Sequence, residues 1–100
     1  MLSSTEIISF LKDNRSYLRE HFRCHEIGLF GSFARNEQTD ESYIDILVVF
    51  EAGTQNLYEV ELELKAYLKK RFNREIDICS KKWIKPIFKP MVLEEAIYAE

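Results

Sequence analysis

Apolar residues at Ile7, Ile8, Leu11, Leu18 and Phe22 recur at helical spacing behind Ser3-Ser4-Thr5-Glu6. Ser3 stands three residues before Glu6, the arrangement of a capping box, so the pattern predicts a helix over 4–21. The period then changes. His25 to Phe30 predicts a short strand ended by Gly31, and Ser32 to Asn36 a brief helical turn. Glu37 to Ser42 is polar and reads as a loop. Tyr43 to Phe50 is the strongest strand signal in the chain. Its near-continuous run Ile44, Ile46, Leu47, Val48, Val49 and Phe50 implies burial on both faces.

Ala52-Gly53-Thr54 breaks that strand. Leu57, Val60, Leu64, Tyr67 and Leu68 then predict a long helix over 55–72, followed by a strand over 75–79. Trp83 to Phe88 reads as a short helix or turn. Pro90 suits the first position of a last helix running through Ala96. The order α-β-(α)-β-α-β-α-α predicts an α/β (α+β) fold, with helices packed on a small mixed sheet. Repeats, linkers and low-complexity tracts are missing from the sequence, so residues 1–100 are read as one domain. A chain of this length buries only about 60–65% of the surface its unfolded form exposes, which implies a modest core.

Composition removes several alternatives. The chain is 46% hydrophobic and 13% aromatic, enough for a globular core rather than disorder. Net charge is −3, and Lys69-Lys70-Arg71 and Lys81-Lys82 are the only basic clusters, so direct nucleic-acid binding is not expected. The longest apolar run, Ile46 to Phe50, is far short of the roughly 20 residues that span a membrane. Glu6 and Lys12 interrupt any secretory h-region. Cys24 and Cys79 lie outside any metal-ligand spacing and read as reduced core-edge thiols of a cytoplasmic protein.

The chemistry concentrates between residues 29 and 77. Gly31-Ser32 falls where a strand gives way to a helix. Glycine lets a ligand approach the backbone, and the helix start offers free N–H groups to a phosphate. Asp45 alternates with Ile44 and Ile46, and Asp77 with Ile76 and Ile78. A carboxylate in such apolar company costs stability unless it is paired or binds metal. If the two strands are neighbours, the two acids meet. Paired carboxylates facing a phosphate-binding turn suit Mg²⁺-dependent phosphoryl or nucleotidyl transfer. Spacing alone also allows two strand-end acids that form surface salt bridges.

Leu29-Phe30-Gly31-Ser32-Phe33-Ala34-Arg35, Ser42-Tyr43-Ile44-Asp45-Ile46-Leu47-Val48 and Ile76-Asp77-Ile78 together resemble the minimal nucleotidyltransferases of the DNA polymerase beta-like superfamily. Their pattern is a Gly-Ser turn, an Asp-x-Asp pair about ten residues on, and a third Asp on a later strand. The segment from Pro86 to Tyr98 also looks like that family's closing segment. The resemblance implies an antitoxin partnered with a HEPN-domain toxin, using ATP and Mg²⁺ to move AMP onto a toxin tyrosine. It further implies that Gly31 and Ser32 hold the triphosphate, with Arg35 meeting phosphate or partner. Asp45 and Asp77 would be the metal ligands, with Asp77 helping to activate the acceptor hydroxyl.

The chain departs from this pattern twice. Asn36 replaces a glycine, a mild change because Asn tolerates left-handed backbone. Tyr43 replaces the first acid of the Asp-x-Asp pair and is a poor Mg²⁺ ligand. Asp40 and Glu41 could substitute only if their loop folds back. Tyr43 therefore raises a second mechanism, neutralisation of the toxin by binding alone. Transfer to a small molecule or nucleic acid is a third, disfavoured because such enzymes usually carry an extra substrate-binding domain.

The remaining residues invite bland readings. His21 and His25 read as surface or packing residues, and Trp83 as packing rather than partner surface. Phe88, Met91 and Leu93 read as core rather than a docking patch, and Glu59, Glu61 and Glu63 as a solvated helix rim.

Overall fold

The computed structural model describes residues 2–99. Five α-helices and four strands follow in the order α1 (Ser4–Asp13), α2 (Arg15–Phe22), β1 (Cys24–Phe30), α3 (Gly31–Ala34), β2 (Ile44–Phe50), α4 (Leu57–Phe72), β3 (Ile76–Ser80), α5 (Lys89–Glu95) and β4 (Ile97–Tyr98). A 3-10 turn, Lys81–Trp83, separates β3 from α5. The fold is the expected α/β arrangement. Its mixed sheet runs β3-β2-β1-β4. β1 is antiparallel to both β2 and β4, while β2 and β3 are parallel. A parallel pair needs a crossover connection, and α4 supplies it.

Strand alternation sorts the two sheet faces. Ile27 and Leu29 of β1, Ile44, Ile46 and Val48 of β2, and Ile76 of β3 join one core with Ile7 and Leu11 of α1, Leu18 and Phe22 of α2, and Leu64 and Leu68 of α4. Phe10, Tyr17, Phe22, Tyr67 and Phe72 form an aromatic cluster where those three helices meet. Gly28, Phe30, Asp45, Leu47, Asp77 and Cys79 alternate with these core residues and so belong to the opposite face.

Three expectations need correction. The single helix over 4–21 is two helices, broken at Asn14. Its side-chain amide and its backbone N–H both donate to Phe10 O, at 2.9 and 3.0 Å. An asparagine that satisfies a local carbonyl competes with helix continuation, and the break turns α2 so that Leu18 and Phe22 rejoin the core. β4, absent from the expected order, exists because β1 pairs with it: Gly28 faces Tyr98 and Leu29 faces Ile97. A Cβ on Gly28 would lie 2.9 Å from Ile97 O, so the glycine admits β4. Finally, Trp83, Phe88 and Met91 are exposed rather than packed, and Ile87 joins them at 81% exposure. Only Val92 of α5 is buried.

Other expectations hold. Ser3 caps α1 by accepting the Glu6 N–H at 3.2 Å, and Pro90 lies at the start of α5. Asn36 takes φ 60°, the left-handed conformation expected of it. Both cysteines are free thiols, and burial pushes Cys24 up to about 12. His21 stacks on Tyr17, and His25 lies 3.7 Å from Glu51 at the surface.

Two leucines on α4 report the sidedness of the fold. Leu64 is 0% exposed and Leu62 is 48% exposed. Leu64→Ala should cost about 2–5 kcal/mol of unfolding free energy, as a truncated core leucine does. Leu62→Ala should stay within about 1 kcal/mol. Urea unfolding of the two variants measures the contrast.

Candidate active site

The parallel pairing of β2 and β3 places Asp45 directly beside Asp77 in register. On its other side Asp45 faces Phe30 across the antiparallel β1–β2 ladder. Both acids alternate with core isoleucines and therefore share the sheet face away from the main core. Asp45 is half-buried and Asp77 exposed. Burial chiefly, then the neighbouring Asp77 charge, raises the Asp45 carboxyl to about 6; Arg35 opposes the shift and Glu95 adds to it. Two adjacent carboxylates in this state favour a cation between them. Mg²⁺ takes one or two carboxylates and completes its octahedron with water and phosphate oxygens, so Asp45 and Asp77 suit one such ion.

Gly31 follows the end of β1 and lies against Asp45. Its φ is +75°, a left-handed conformation that glycine adopts without strain. Space demands glycine as well. A Cβ at this position would run into Asp45 Oδ2 and lie 2.8 Å from its Cγ. Ser32 follows in α3, partly exposed, and its carbonyl accepts the Glu37 N–H at 2.9 Å. Arg35 caps the C-terminus of α3. It reaches Glu37 through Nε at 3.2 Å and both oxygens of Glu95 through Nη1 at 3.1 Å.

Glu95 is the site residue that sequence reasoning missed. Its Oε1 also accepts the Gly31 N–H at 3.0 Å. The β1–β4 pairing brings the two segments together: Gly28 pairs with Tyr98 and Leu29 with Ile97, and Gly31 and Glu95 lie two residues beyond that last pair on their respective segments. Locally, Glu94 and Glu95 are indistinguishable. Only recognition of β4 as a partner of β1 could have separated them.

Tyr43 precedes β2 and is 55% exposed. Asp40 and Glu41 do not fold back onto the aspartates. They line a surface depression with Lys69, Asn73, Arg74 and Glu75, and Arg74 Nη1 pins their loop by donating to Thr39 O at 3.1 Å and Ser42 O at 3.0 Å. Among the described residues, no group of three or more His, Cys, Asp or Glu side chains is placed to hold a metal ion. Asp77 also opens onto a groove of about 300 Å³ lined by Tyr58, Glu61, Leu62, Lys65 and Ile78. Of the three glutamates expected on a solvated rim, Glu59 and Glu63 are exposed while Glu61 turns to this groove.

Comparison with known proteins agrees with this fold. The family model described as "Polymerase beta, Nucleotidyltransferase" matches residues 12–98. The chain is 39% identical over 98 residues to the protein adenylyltransferase MntA of Thermococcus cleftensis, covering 98% of this chain and 97% of that protein. A solved structure provisionally named a minimal nucleotidyltransferase superposes with TM-score 0.77 at 28% identity, covering 96% of this chain and 95% of the other. A structure of a tri-AMPylated Shewanella oneidensis HEPN toxin in complex with MNT antitoxin shares the fold at TM-score 0.63 and 17% identity, covering 93% and 71%.

The raised Asp45 carboxyl has a signed consequence for stability. Its folded value, about 6, exceeds the ordinary 3.8. The native state therefore holds the proton more tightly, and stability falls as pH rises from about 4 to about 6, then levels. The loss should be about 1–2 kcal/mol after allowance for the carboxylate's half-exposure to solvent. Asp45→Asn should remove this component and stabilise the ligand-free protein at pH 7–8 by a similar amount. Urea unfolding at pH 4.5 and 7.5 checks both statements.

Proposed function

This chain belongs to the polymerase beta nucleotidyltransferase family, and on that premise we propose that it is the antitoxin of a HEPN toxin pair, acting as a protein adenylyltransferase. It would move AMP from ATP to a tyrosine of the toxin in the cytoplasm. The observation that carries this reading is the in-register Asp45–Asp77 pair, with Asp45 packed against Gly31. The similarity to an MntA protein adenylyltransferase over almost the whole chain supports the reaction class. The fold shared with the MNT antitoxin of a HEPN complex supports the kind of partner.

The residues divide the work. Gly31 and Ser32 would hold the triphosphate, with Arg35 supplying the cation that meets it. Asp45 and Asp77 would hold one Mg²⁺, which supplies positive charge at the triphosphate when bound. The acceptor would approach from the groove beside Asp77. A bond forms between the tyrosine oxygen and the α-phosphorus, and the bond from that phosphorus to pyrophosphate breaks. The hydroxyl proton passes to the Asp77 carboxylate and then to solvent. Trp83, Ile87, Phe88 and Met91 are each exposed and would offer apolar side chains to the partner chain.

Tyr43 favours a second reading, in which the protein neutralises its partner by binding alone. It replaces the acid that the family places two residues before Asp45, and Asp40 and Glu41 are held elsewhere. Incubation of the purified pair with α-labelled ATP and Mg²⁺ separates the readings. The adenylyltransferase reading requires label on the toxin. Tyr43→Asp should raise the rate on the order of 10²–10⁴-fold, the value of a restored charge-bridging ligand. Asp45→Asn in that background should abolish transfer. A natural protein that inhibits the toxin without labelling it supports binding alone, and equal rates for the natural protein and Tyr43→Asp would show that position 43 is not the missing ligand.

A further inference from the structure

Glu95 occupies the donors that a phosphate group would need. Its carboxylate takes the Gly31 N–H at 3.0 Å and Arg35 Nη1 at 3.1 Å from each oxygen. A backbone amide and a guanidinium are what a phosphate oxygen seeks. The rest of the neighbourhood is acidic. Asp45 lies against Gly31 with Asp77 beside it in register, and Glu37 holds the Nε edge of Arg35. Arg35 is thus the cation that the described contacts place at the site, and Glu95 and Glu37 already share it.

The position of Glu95 is built rather than incidental. The Ala96 N–H donates to Val92 O at 3.0 Å, which finishes α5 immediately after Glu95. Two residues later, β4 pairs with β1, and the Ala99 N–H donates to Ile27 O at 3.0 Å. Gly28 lacks the side chain that would block β4. The Glu95 side chain is only 18% exposed.

We propose that Glu95 is an internal competitor for the nucleotide's phosphates, holding the Gly31 amide and Arg35 until a polyphosphate displaces it and loosens the α5–β4 segment. This rests on the nucleotide-binding reading above. The ligand-free protein is thereby kept in a closed state with its anion donors satisfied. Nucleotide affinity is reduced by the work of breaking that contact, as for any binding-competent state that is only partly populated.

Equilibrium binding with three probes tests the proposal: α,β-methylene-ATP, inorganic tripolyphosphate and adenosine, each with Mg²⁺. Glu95→Gln keeps a Gly31 acceptor but removes the charge, and Glu95→Ala removes both. Circular dichroism establishes that each variant is folded. Both should bind the ATP analogue and tripolyphosphate about tenfold tighter than the natural chain, the effect of removing roughly 1.4 kcal/mol of competition. Adenosine binding should not change. In the natural chain, saturation with tripolyphosphate should speed hydrogen exchange at the Ala96 and Ala99 amides; this holds the test open if a variant fails to fold. Unchanged or weaker polyphosphate binding by the variants, or slower exchange at both amides, overturns the proposal while leaving nucleotide binding intact. Failure of the natural chain and both variants to bind either polyphosphate overturns the proposal and the nucleotide-binding reading together.

Discussion

Everything at this site depends on the absence of a side chain at residue 31. Gly31 lies between two carboxylates, with Asp45 under its Cα and Glu95 at its N–H. A Cβ would displace Asp45, and Asp45 is the residue through which β2 meets Asp77. The positive φ at Gly31 also turns the chain from β1 into α3, which brings Arg35 back toward Glu95. One missing methyl group therefore sets the carboxylate pair, the turn and the cation at once. Substitution here would disturb chemistry and backbone together, so neither effect could be assigned alone.

Much of the molecule was legible because its signals are local. The run Ile44 to Val48 alternates with Asp45, and the structure confirms a strand with Ile44, Ile46 and Val48 in the core and Asp45 on the other face. The Asn36 backbone conformation followed from what Asn tolerates. The unread features are those that local pattern cannot encode. The Leu11-to-Leu18 stripe keeps its helical period through Asn14, so the break there reflects side-chain competition for Phe10 O. β4 is two residues long and exists only as a partner of Gly28 and Leu29. Glu95 inherited its invisibility from β4. Trp83, Phe88 and Met91 read as packed because aromatic and aliphatic residues are ordinarily buried, and sequence does not say which ones a monomer leaves outside.

The fold tolerates an electrostatic burden at this face. Asp45 is half-buried beside a like charge, which disfavours its ionised form. The opposite face carries the compensating apolar core, where Ile44, Ile46 and Val48 of the same strand are fully buried. A single strand thus contributes stability through one set of alternating residues and chemistry through the other. Active sites commonly retain such locally unfavourable charges because the ligand relieves them.

Met91 and Glu95 stand four residues apart on α5, one turn along the same helical face. Met91 is exposed, while Glu95 makes the contact with Gly31. On a helix of seven residues these are two ends of one lever. An exposed apolar side chain and the carboxylate that accepts the Gly31 N–H thus share one short turn of backbone, and a displacement of either end would be felt at the other.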